Sequence, residues 1–224
     1  MPDTEHEYER QREQLLLEIV RSRGASDRRV IDAMRRVPRH EFVPEQYRAY
    51  AYENRPLPIG ERQTISQPLM VATMTEALDV QPQHVTLEIG AGSGYQAAIL
   101  AELCSQVYTL ERHETLAATA RETLARLGCA NVEVVVADGS QGYAERAPYD
   151  RIMVSAGSPS IPDALLRQLK LGGKMVIPVG DFNYQALTLV EQTSSGPISQ
   201  EIAGCVFVPL IGEYGWSRDR TDPG

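Results

Sequence analysis

The sequence is short of cysteine, of positive charge and of long apolar runs, and each shortage excludes a class of protein. Its three cysteines, Cys104, Cys129 and Cys205, are odd in number and widely spaced in apolar surroundings, which favours buried thiols over a disulfide framework or a metal site. A net charge of −8 argues against general binding to nucleic acid. No apolar run approaches the ~20 residues of a membrane helix, and residues 1–12 lack the apolar core of a signal peptide. We therefore expect a cytoplasmic protein without a metal or a membrane span.

What is present is an ordinary globular composition, with 42% hydrophobic residues, in two parts with different patterns. Residues 1–78 begin with apolar side chains at helical spacing. This spacing predicts two short helices, the first ending at Gly24 and the second before Pro38. Residues 79–224 alternate strands with helices, which is the pattern of a core domain built on a parallel sheet. We therefore expect an N-terminal helical extension followed by one sheet-containing core.

The last part of the core changes its pattern. A helix is predicted at 162–169, and apolar runs at 186–190 and 205–208 enclose a turn, which predicts antiparallel strands. The fold class is therefore predicted as α/β: a doubly wound, mainly parallel, Rossmann-like sheet with an N-terminal helical extension and antiparallel closing strands. In such a sheet, ligands bind at the carboxyl ends of the strands.

A glycine-rich loop is the first candidate for a ligand site. The apolar run 85–89 ends in three glycines at alternate positions, Gly90, Gly92 and Gly94, and the apolar segment 97–103 follows. This order predicts strand, tight loop and helix, and glycine allows positive φ and close approach to a ligand. No Lys or Arg lies between the start of the strand and the end of the helix, so a phosphate is not required. The loop is interpreted as a cofactor cradle, with a simple packing turn as the alternative.

Acidic residues follow the next two predicted strands. Glu111 comes directly after the second strand, and Asp138 with Gly139 comes after the third. Because parallel strands end at one edge of the sheet, we expect these residues to lie beside the glycine loop. Carboxylates accept hydrogen bonds, so Glu111 suits two ribose hydroxyls and Asp138 an adenine amino group. The alternative for Glu111 is a solvated acid at the start of a helix, where the helix dipole favours negative charge.

A second candidate segment, Gln63-Thr-Ile-Ser-Gln-Pro68, precedes a helical pattern. Pro68 suits the first turn of that helix, so Thr64 and Ser66 bring hydroxyl groups to its N-terminus. From spacing alone, Ser66 or Gln67 is interpreted as a helix N-cap.

Seven segments lie in one order between about residue 37 and residue 216: Arg39-His-Glu-Phe-Val-Pro44, Pro56-Leu-Pro-Ile-Gly60, Gln63-Thr-Ile-Ser-Gln-Pro-Leu-Met-Val-Ala-Thr-Met-Thr-Glu76, Leu87-Glu-Ile-Gly-Ala-Gly-Ser-Gly-Tyr-Gln-Ala-Ala98, Val107-Tyr-Thr-Leu-Glu-Arg112, Ile177-Pro-Val-Gly180 and Phe207-Val-Pro-Leu210. Together they resemble the bacterial type of the protein-L-isoaspartate (D-aspartate) O-methyltransferase family. The resemblance implies S-adenosyl-L-methionine (AdoMet) as cofactor, S-adenosyl-L-homocysteine as product and no metal. The implied methyl acceptor is the free carboxyl of isoaspartyl residues in damaged proteins, and we expect the enzyme to be a monomer.

The resemblance also implies a role for each motif. Ser66 would hydrogen-bond the acceptor carboxylate and Thr64 would shape the same turn, so the acceptor site would fall in residues 1–78. AdoMet would bind in residues 79–224, with its amino-acid end at Glu88 and the glycine loop, its ribose at Glu111 and its adenine at Asp138. The predicted catalytic residues are Ser66 and Thr64, and the predicted cofactor-binding residues are Glu88, Gly90, Gly92, Ser93, Gly94, Glu111, Asp138 and Gly139.

Three positions depart from the family pattern. Arg62 stands where the family usually has glycine, Ala137 replaces the glycine before Asp138, and residues 155–160 differ from the usual segment. Arg62 would either help to hold the substrate carboxylate or obstruct a peptide, or it is a solvated loop side chain. These departures favour one alternative, an AdoMet methyltransferase acting on a small molecule or a biosynthetic peptide. A separate alternative is a nucleotide-binding or NAD-dependent protein that uses the same sheet without methyl transfer.

Overall fold

A computed structural model of the protein describes residues 5–22 and 25–217. It contains six α-helices among those residues: α1 (Glu5–Arg21), α2 (Arg28–Arg36), α3 (Pro68–Leu78), α4 (Tyr95–Ala101), α5 (Glu114–Arg126) and α6 (Asp163–Leu166). The two predicted N-terminal helices are present as α1 and α2, while the predicted end of the first at Gly24 lies outside the described residues. Asp27 caps α2, because its side chain accepts a hydrogen bond from the N–H of Arg29.

The strands form a hairpin and a seven-stranded sheet. The hairpin consists of β1 (Leu57–Gly60) and β2 (Gln63–Ile65), and the sheet consists of β3 (Val85–Ile89), β4 (Gln106–Glu111), β5 (Val132–Val136), β6 (Tyr149–Val154), β7 (Leu169–Gly180), β8 (Gln185–Thr193) and β9 (Gly196–Cys205). The order across the sheet is β5-β4-β3-β6-β7-β8-β9. The first five strands in that order run parallel, and β8 and β9 are antiparallel. The predicted doubly wound sheet with antiparallel closing strands is confirmed.

The length of the last helix and the position of the last strand differ from the prediction. The predicted helix 162–169 is only the four-residue α6, because Leu169 pairs with Tyr149 and already belongs to β7. The side chain of Gln168, just before β7, accepts a hydrogen bond from the N–H of Tyr143 and donates one to the carbonyl of Gln141. The last strand lies at Gly196–Cys205, before the apolar run at 205–208, because its register is set by a hairpin with β8.

The hydrophobic core occupies both faces of the sheet. Alternate residues of a strand point to opposite faces, so Ile152 and Val154 of β6 join one buried cluster while Met153 joins the other. Helices α1 to α5 contribute to the cluster of Met153. The N-terminal helices are fixed against α3, since Glu76 accepts hydrogen bonds from the N–H and the hydroxyl of Ser26. In the part of the chain that the structure describes, no helix has the length and apolarity needed to cross a membrane.

Candidate active site

A cavity of about 510 Å³ opens where β3 and β4 end, and the β1–β2 hairpin forms another part of its wall. Seven of the ten predicted site residues line this cavity: Thr64, Ser66, Gly90, Gly92, Ser93, Glu111 and Gly139. Three others, Glu88, Gly94 and Asp138, lie outside its lining. The structure therefore brings the hydroxyl-bearing segment and the glycine loop together, although they are separated in the sequence.

The glycine loop has the backbone conformation that its sequence predicts. Gly90, Gly92 and Gly94 have backbone φ values of +92°, +52° and +90°. Residues with a Cβ atom rarely adopt such values. The backbone N–H groups of Gly90 and Ala91 both donate to the carbonyl of Leu110, at 2.8 and 3.0 Å, so the loop is tied to the end of β4. A Cβ on Gly92 would come within 3.2 Å of Ile59 on the hairpin. The loop is therefore held rigidly between the sheet and the hairpin.

Glu88 is a buried acid with one oxygen left unpaired. It lies in β3 with no exposed surface, and its Oε2 accepts a hydrogen bond of 2.6 Å from the hydroxyl of Thr109. Among the described residues its Oε1 has no hydrogen-bond partner. Burial is the main cause that raises the pKa of Glu88 to about 8; the hydrogen bond from Thr109 opposes this rise and the nearby Glu111 carboxylate adds to it. A buried acceptor without a donor fits a ligand that brings a cation or an N–H group, such as the ammonium of an amino acid.

Glu111 is buried and holds the loop. Its side chain is 5% exposed, so the alternative of a solvated acid is wrong. Its Oε2 accepts a hydrogen bond of 2.9 Å from the N–H of Gly92, and its Oε1 accepts one of 2.9 Å from the N–H of His113. Each carboxylate oxygen has a second lone pair, so the group keeps the capacity to accept two further hydroxyl donors from the cavity.

Asp138 lies in an adjoining cavity of about 330 Å³, whose lining shares Arg112 and Ile211 with the first. Its Oδ1 accepts hydrogen bonds from the N–H and the hydroxyl of Ser140, and its Oδ2 accepts one from the N–H of Glu213. Partial burial opposes ionisation, but these donors outweigh it and hold the pKa of Asp138 below its ordinary value. Asp138 is therefore an ionised acceptor at the side of the main cavity where an adenine amino group is expected.

Ser66 lies between β2 and α3, and of the two residues interpreted as the helix N-cap, Gln67 and not Ser66 has that position. Gln67 occupies the N-cap position without a side-chain cap hydrogen bond, and the Oδ1 of Asn54 accepts from the N–H of Leu69 instead, at 3.0 Å. The carbonyl of Ser66 accepts a hydrogen bond of 2.8 Å from Arg39. Ser66 is one of the residues that line the cavity, and its hydroxyl has no hydrogen-bond partner among the described residues. It is thus available to a ligand.

Comparison with known proteins identifies the family. A model of the family described as protein-L-isoaspartate(D-aspartate) O-methyltransferase matches residues 10–215. The chain belongs to this family. Among isoaspartate methyltransferases, the one from Geobacter metallireducens is 52% identical over 200 residues, covering 89% of this chain and 93% of the relative. The one from Methanopyrus kandleri is 53% identical, with 99% of this chain and 100% of the relative covered.

Solved structures of isoaspartate methyltransferases share the fold. One such structure superposes with a TM-score of 0.83 and 30% identity, covering 91% of this chain and 67% of the other. A second, described as a putative enzyme of this kind from Plasmodium falciparum in complex with S-adenosyl-L-homocysteine, has a TM-score of 0.79 and 24% identity, with 89% and 98% covered. This chain covers about two thirds of the first structure's chain and nearly all of the second's.

The departure from the family pattern at Arg62 falls in a tight turn. Gly60 pairs with Gln63, so Glu61 and Arg62 are the two central residues of the β1–β2 hairpin. Their φ values are +50° and +56°, as in a type I′ turn, in which glycine is favoured at the second position. The glycine usual in isoaspartate methyltransferases is therefore explained by the backbone, and this chain places a long cation in the cavity wall instead.

Sequence reasoning missed the residues that hold the two halves of the site together. The Oε1 of Glu61 accepts a hydrogen bond of 2.7 Å from the hydroxyl of Thr115 at the start of α5, so the hairpin turn is attached to the core beside the cavity. Asn54 caps α3, and Arg39 holds Ser66. No local pattern marks these contacts, since each joins segments far apart in the chain. Among the described residues, no group of three or more His, Cys, Asp or Glu side chains is placed to hold a metal ion.

Proposed function

We propose that this protein transfers the methyl group of AdoMet to the free carboxyl of L-isoaspartyl residues, and of D-aspartyl residues, in damaged proteins. One observation carries the proposal: the turn of Thr64 and Ser66 and the glycine loop with Glu111 line a single cavity of about 510 Å³. The cavity therefore combines hydroxyl-bearing residues for the methyl acceptor with a loop and an acid suited to the nucleoside of the methyl donor. Membership of the isoaspartate methyltransferase family supports the reaction, and the S-adenosyl-L-homocysteine bound to the Plasmodium relative supports the cofactor.

The residues present fit AdoMet. Glu88 has a buried, unpaired carboxyl oxygen for a cationic amino group, whose positive charge would favour the ionised form of Glu88. Gly90, Ser93 and Gly94 shape the loop beside it. Glu111 has lone pairs for the ribose hydroxyls. Asp138, from the adjoining cavity, and Gly139, in the lining of the main cavity, would contact the adenine. AdoMet, when bound, supplies a methyl group on a sulfonium centre.

The chain's own contribution to the reaction is positioning. A carboxylate is already a nucleophile at neutral pH, so the transfer needs an aligned acceptor more than a general base. The Ser66 hydroxyl would donate to the acceptor carboxylate, and Thr64, in the neighbouring strand β2, would shape the same turn. The methyl ester that leaves the site is expected to cyclise as the neighbouring peptide nitrogen attacks the ester carbonyl and methanol leaves. Water then reopens the resulting succinimide, in part as normal aspartate. The proposed task of the enzyme is therefore repair of aged proteins.

The proposal includes the setting of the enzyme. Its partners would be proteins and peptides that carry isoaspartyl residues, in the cytoplasm, and it would act as a monomer. Residues 1–78 would form the acceptor part and residues 79–224 the AdoMet part. Light scattering after size-exclusion chromatography tests the monomer, since a dimer would double the measured mass.

The decisive experiment compares paired peptides. The protein is incubated with labelled AdoMet and with two peptides that differ only in having isoaspartate or aspartate at one position. Preferential labelling of the isoaspartyl peptide is expected, and equal labelling would contradict the proposal. Thermal unfolding tests the cofactor separately, because a ligand at 100 times its Kd adds about 2.7 kcal/mol. AdoMet should raise the Tm and NAD should not, and stabilisation by NAD alone would overturn the cofactor assignment.

A second candidate function is supported by the cavity wall. Arg62 and Ser155 line the cavity at positions that depart from the family pattern. An AdoMet methyltransferase that acts on a small molecule or a biosynthetic peptide carboxyl would explain such changes. Stabilisation by AdoMet without labelling of either test peptide would favour this second function.

A further inference from the structure

Arg39 is a fully buried cation placed between the two halves of the site. It has no exposed surface and begins a short 3₁₀ turn, residues Arg39–Phe42, that precedes the hairpin. Its Nε donates to the carbonyl of Ala51 and its Nη2 to the carbonyl of Ser66, both at 2.8 Å. Its guanidinium carbon lies 4.9 Å from the ring centroid of Tyr95, the first residue after the glycine loop. One side chain therefore touches both the acceptor turn and the segment that follows the donor loop.

The surroundings of Arg39 are not those of a simple ion pair. It donates to two neutral carbonyls, and its other polar neighbour is the side chain of Tyr95, not a carboxylate. Burial lowers the pKa of Arg39 to about 10, so the group is still charged at neutral pH. An apolar side chain would fill such a site at lower desolvation cost. An apolar side chain, however, could not orient a carbonyl group. The planar guanidinium orients two of them, those of Ala51 and Ser66, through hydrogen bonds in fixed directions.

The atom that Arg39 holds belongs to the proposed acceptor residue. The Ser66 carbonyl accepts from Arg39, and Ser66 is one of the residues that line the cavity. Tyr95 also lines the cavity, so the guanidinium contacts two lining residues, one in each half of the site. Transfer in line from a sulfonium requires the reacting atoms to be about 3–3.5 Å apart, and a shift of about 1 Å can cost about 100-fold in rate.

We propose that Arg39 is a positioning residue, which fixes the Ser66 turn relative to the glycine loop and thereby aligns the acceptor carboxylate with the methyl donor. The inference rests on the proposed function, because it assigns Ser66 to the acceptor. It predicts that Arg39 contributes to turnover through Ser66 and does not contribute to AdoMet affinity.

The first test is Arg39→Lys. A lysine keeps the charge but has one nitrogen, which cannot donate to both carbonyls in the directions that Nε and Nη2 serve. The kcat on an isoaspartyl peptide should fall about 10-fold or more, while the Kd for AdoMet stays within about 2-fold of the wild type. Arg36→Lys is the matched control, because Arg36 is a half-exposed residue that donates to Glu102 on the surface. Its kcat should be unchanged.

A second variant guards against a folding defect. Arg39→Met removes the buried charge, and replacing a buried charge by an apolar side chain of similar volume often preserves stability. It should show the same loss of kcat with AdoMet binding retained. Wild-type kcat in either variant would overturn the proposal, and so would a loss of AdoMet affinity in parallel with kcat, because that pattern indicates a general disturbance of the core.

A double-mutant cycle decides whether Arg39 acts through Ser66. In a Ser66→Ala background, Arg39→Lys should lower kcat by less than about 2-fold, because the group that it positions has gone. An equal loss in both backgrounds would overturn the proposal. The wild-type assay on isoaspartyl and aspartyl peptides runs beside the cycle. If the wild type does not prefer the isoaspartyl peptide, the proposed function fails. If the wild type prefers it but Arg39→Lys lowers kcat equally in both backgrounds, only the Arg39 inference fails.

Discussion

Glu111 binds the backbone of Gly92: its Oε2 accepts a hydrogen bond of 2.9 Å from the N–H at the middle of the glycine loop. The same carboxylate accepts from the N–H of His113 through its other oxygen. A residue expected to recognise a ribose therefore also fixes the loop that faces the ligand. The two functions are compatible because a carboxylate has about four lone-pair sites and these N–H groups occupy two of them.

Glu111→Gln tests this double use. A glutamine has one oxygen and one NH₂ group, so one of the two backbone N–H groups would face a donor. Hydrogen bonds to charged groups are worth about 1.5–3 kcal/mol, so the Kd for AdoMet should rise about 10- to 100-fold. Isothermal titration calorimetry measures it. Glu114→Gln, at an exposed position in the first turn of α5, is the matched control and should bind normally. Normal affinity in Glu111→Gln would remove Glu111 from the cofactor site.

Ser66→Ala separates the acceptor from the donor side. The hydroxyl has no partner among the described residues, so its loss should not disturb the fold. A hydrogen bond to a carboxylate is worth about 1.5–3 kcal/mol, so kcat/KM on an isoaspartyl peptide should fall about 10- to 100-fold, with the Kd for AdoMet unchanged. Ser105→Ala is the control. Ser105 lies just before β4, and its hydroxyl donates to the carbonyl of His84. Unchanged turnover in Ser66→Ala would exclude Ser66 from the mechanism.

The buried acid Glu88 predicts a pH dependence of stability. Its pKa is about 8 in the folded protein and has its ordinary value of 4.5 in the unfolded chain. Between these values the folded state binds one more proton, so stability falls as the pH rises, by at most about 1.4 kcal/mol per pH unit. The Tm of the ligand-free protein, measured from pH 5 to pH 8, should fall more steeply in the wild type than in Glu88→Gln. Parallel curves would contradict the raised pKa.

Arg62 allows a test of backbone strain in the hairpin. A non-glycine residue at a φ of +56° costs roughly 1–2 kcal/mol relative to its preferred conformation, and glycine avoids this cost. Arg62→Gly should therefore be more stable than Arg62→Ala by about 1 kcal/mol. Both variants remove the same charged side chain, so their difference reports the backbone alone. Chemical denaturation measures it, and equal stability would contradict a strained turn.

The same pair of variants reports on the acceptor. If Arg62 obstructs peptides, both should lower the KM for an isoaspartyl peptide; if it helps to hold the carboxylate, both should raise it. If the KM stays the same in both variants, Arg62 has no part in substrate specificity.

The sequence by itself determined the elements of the fold and most of the candidate site, because these depend on local chemistry. Glycines at alternate positions after an apolar run required a loop with positive φ, and alternating strands required acids such as Glu111 to meet that loop at one edge. Only the tertiary structure decided what those residues contact. Asn54 caps α3 in place of Ser66, Glu213 donates to Asp138, and Arg39 is buried against Ser66 and Tyr95. Periodicity describes one segment at a time, whereas these contacts depend on how distant segments pack.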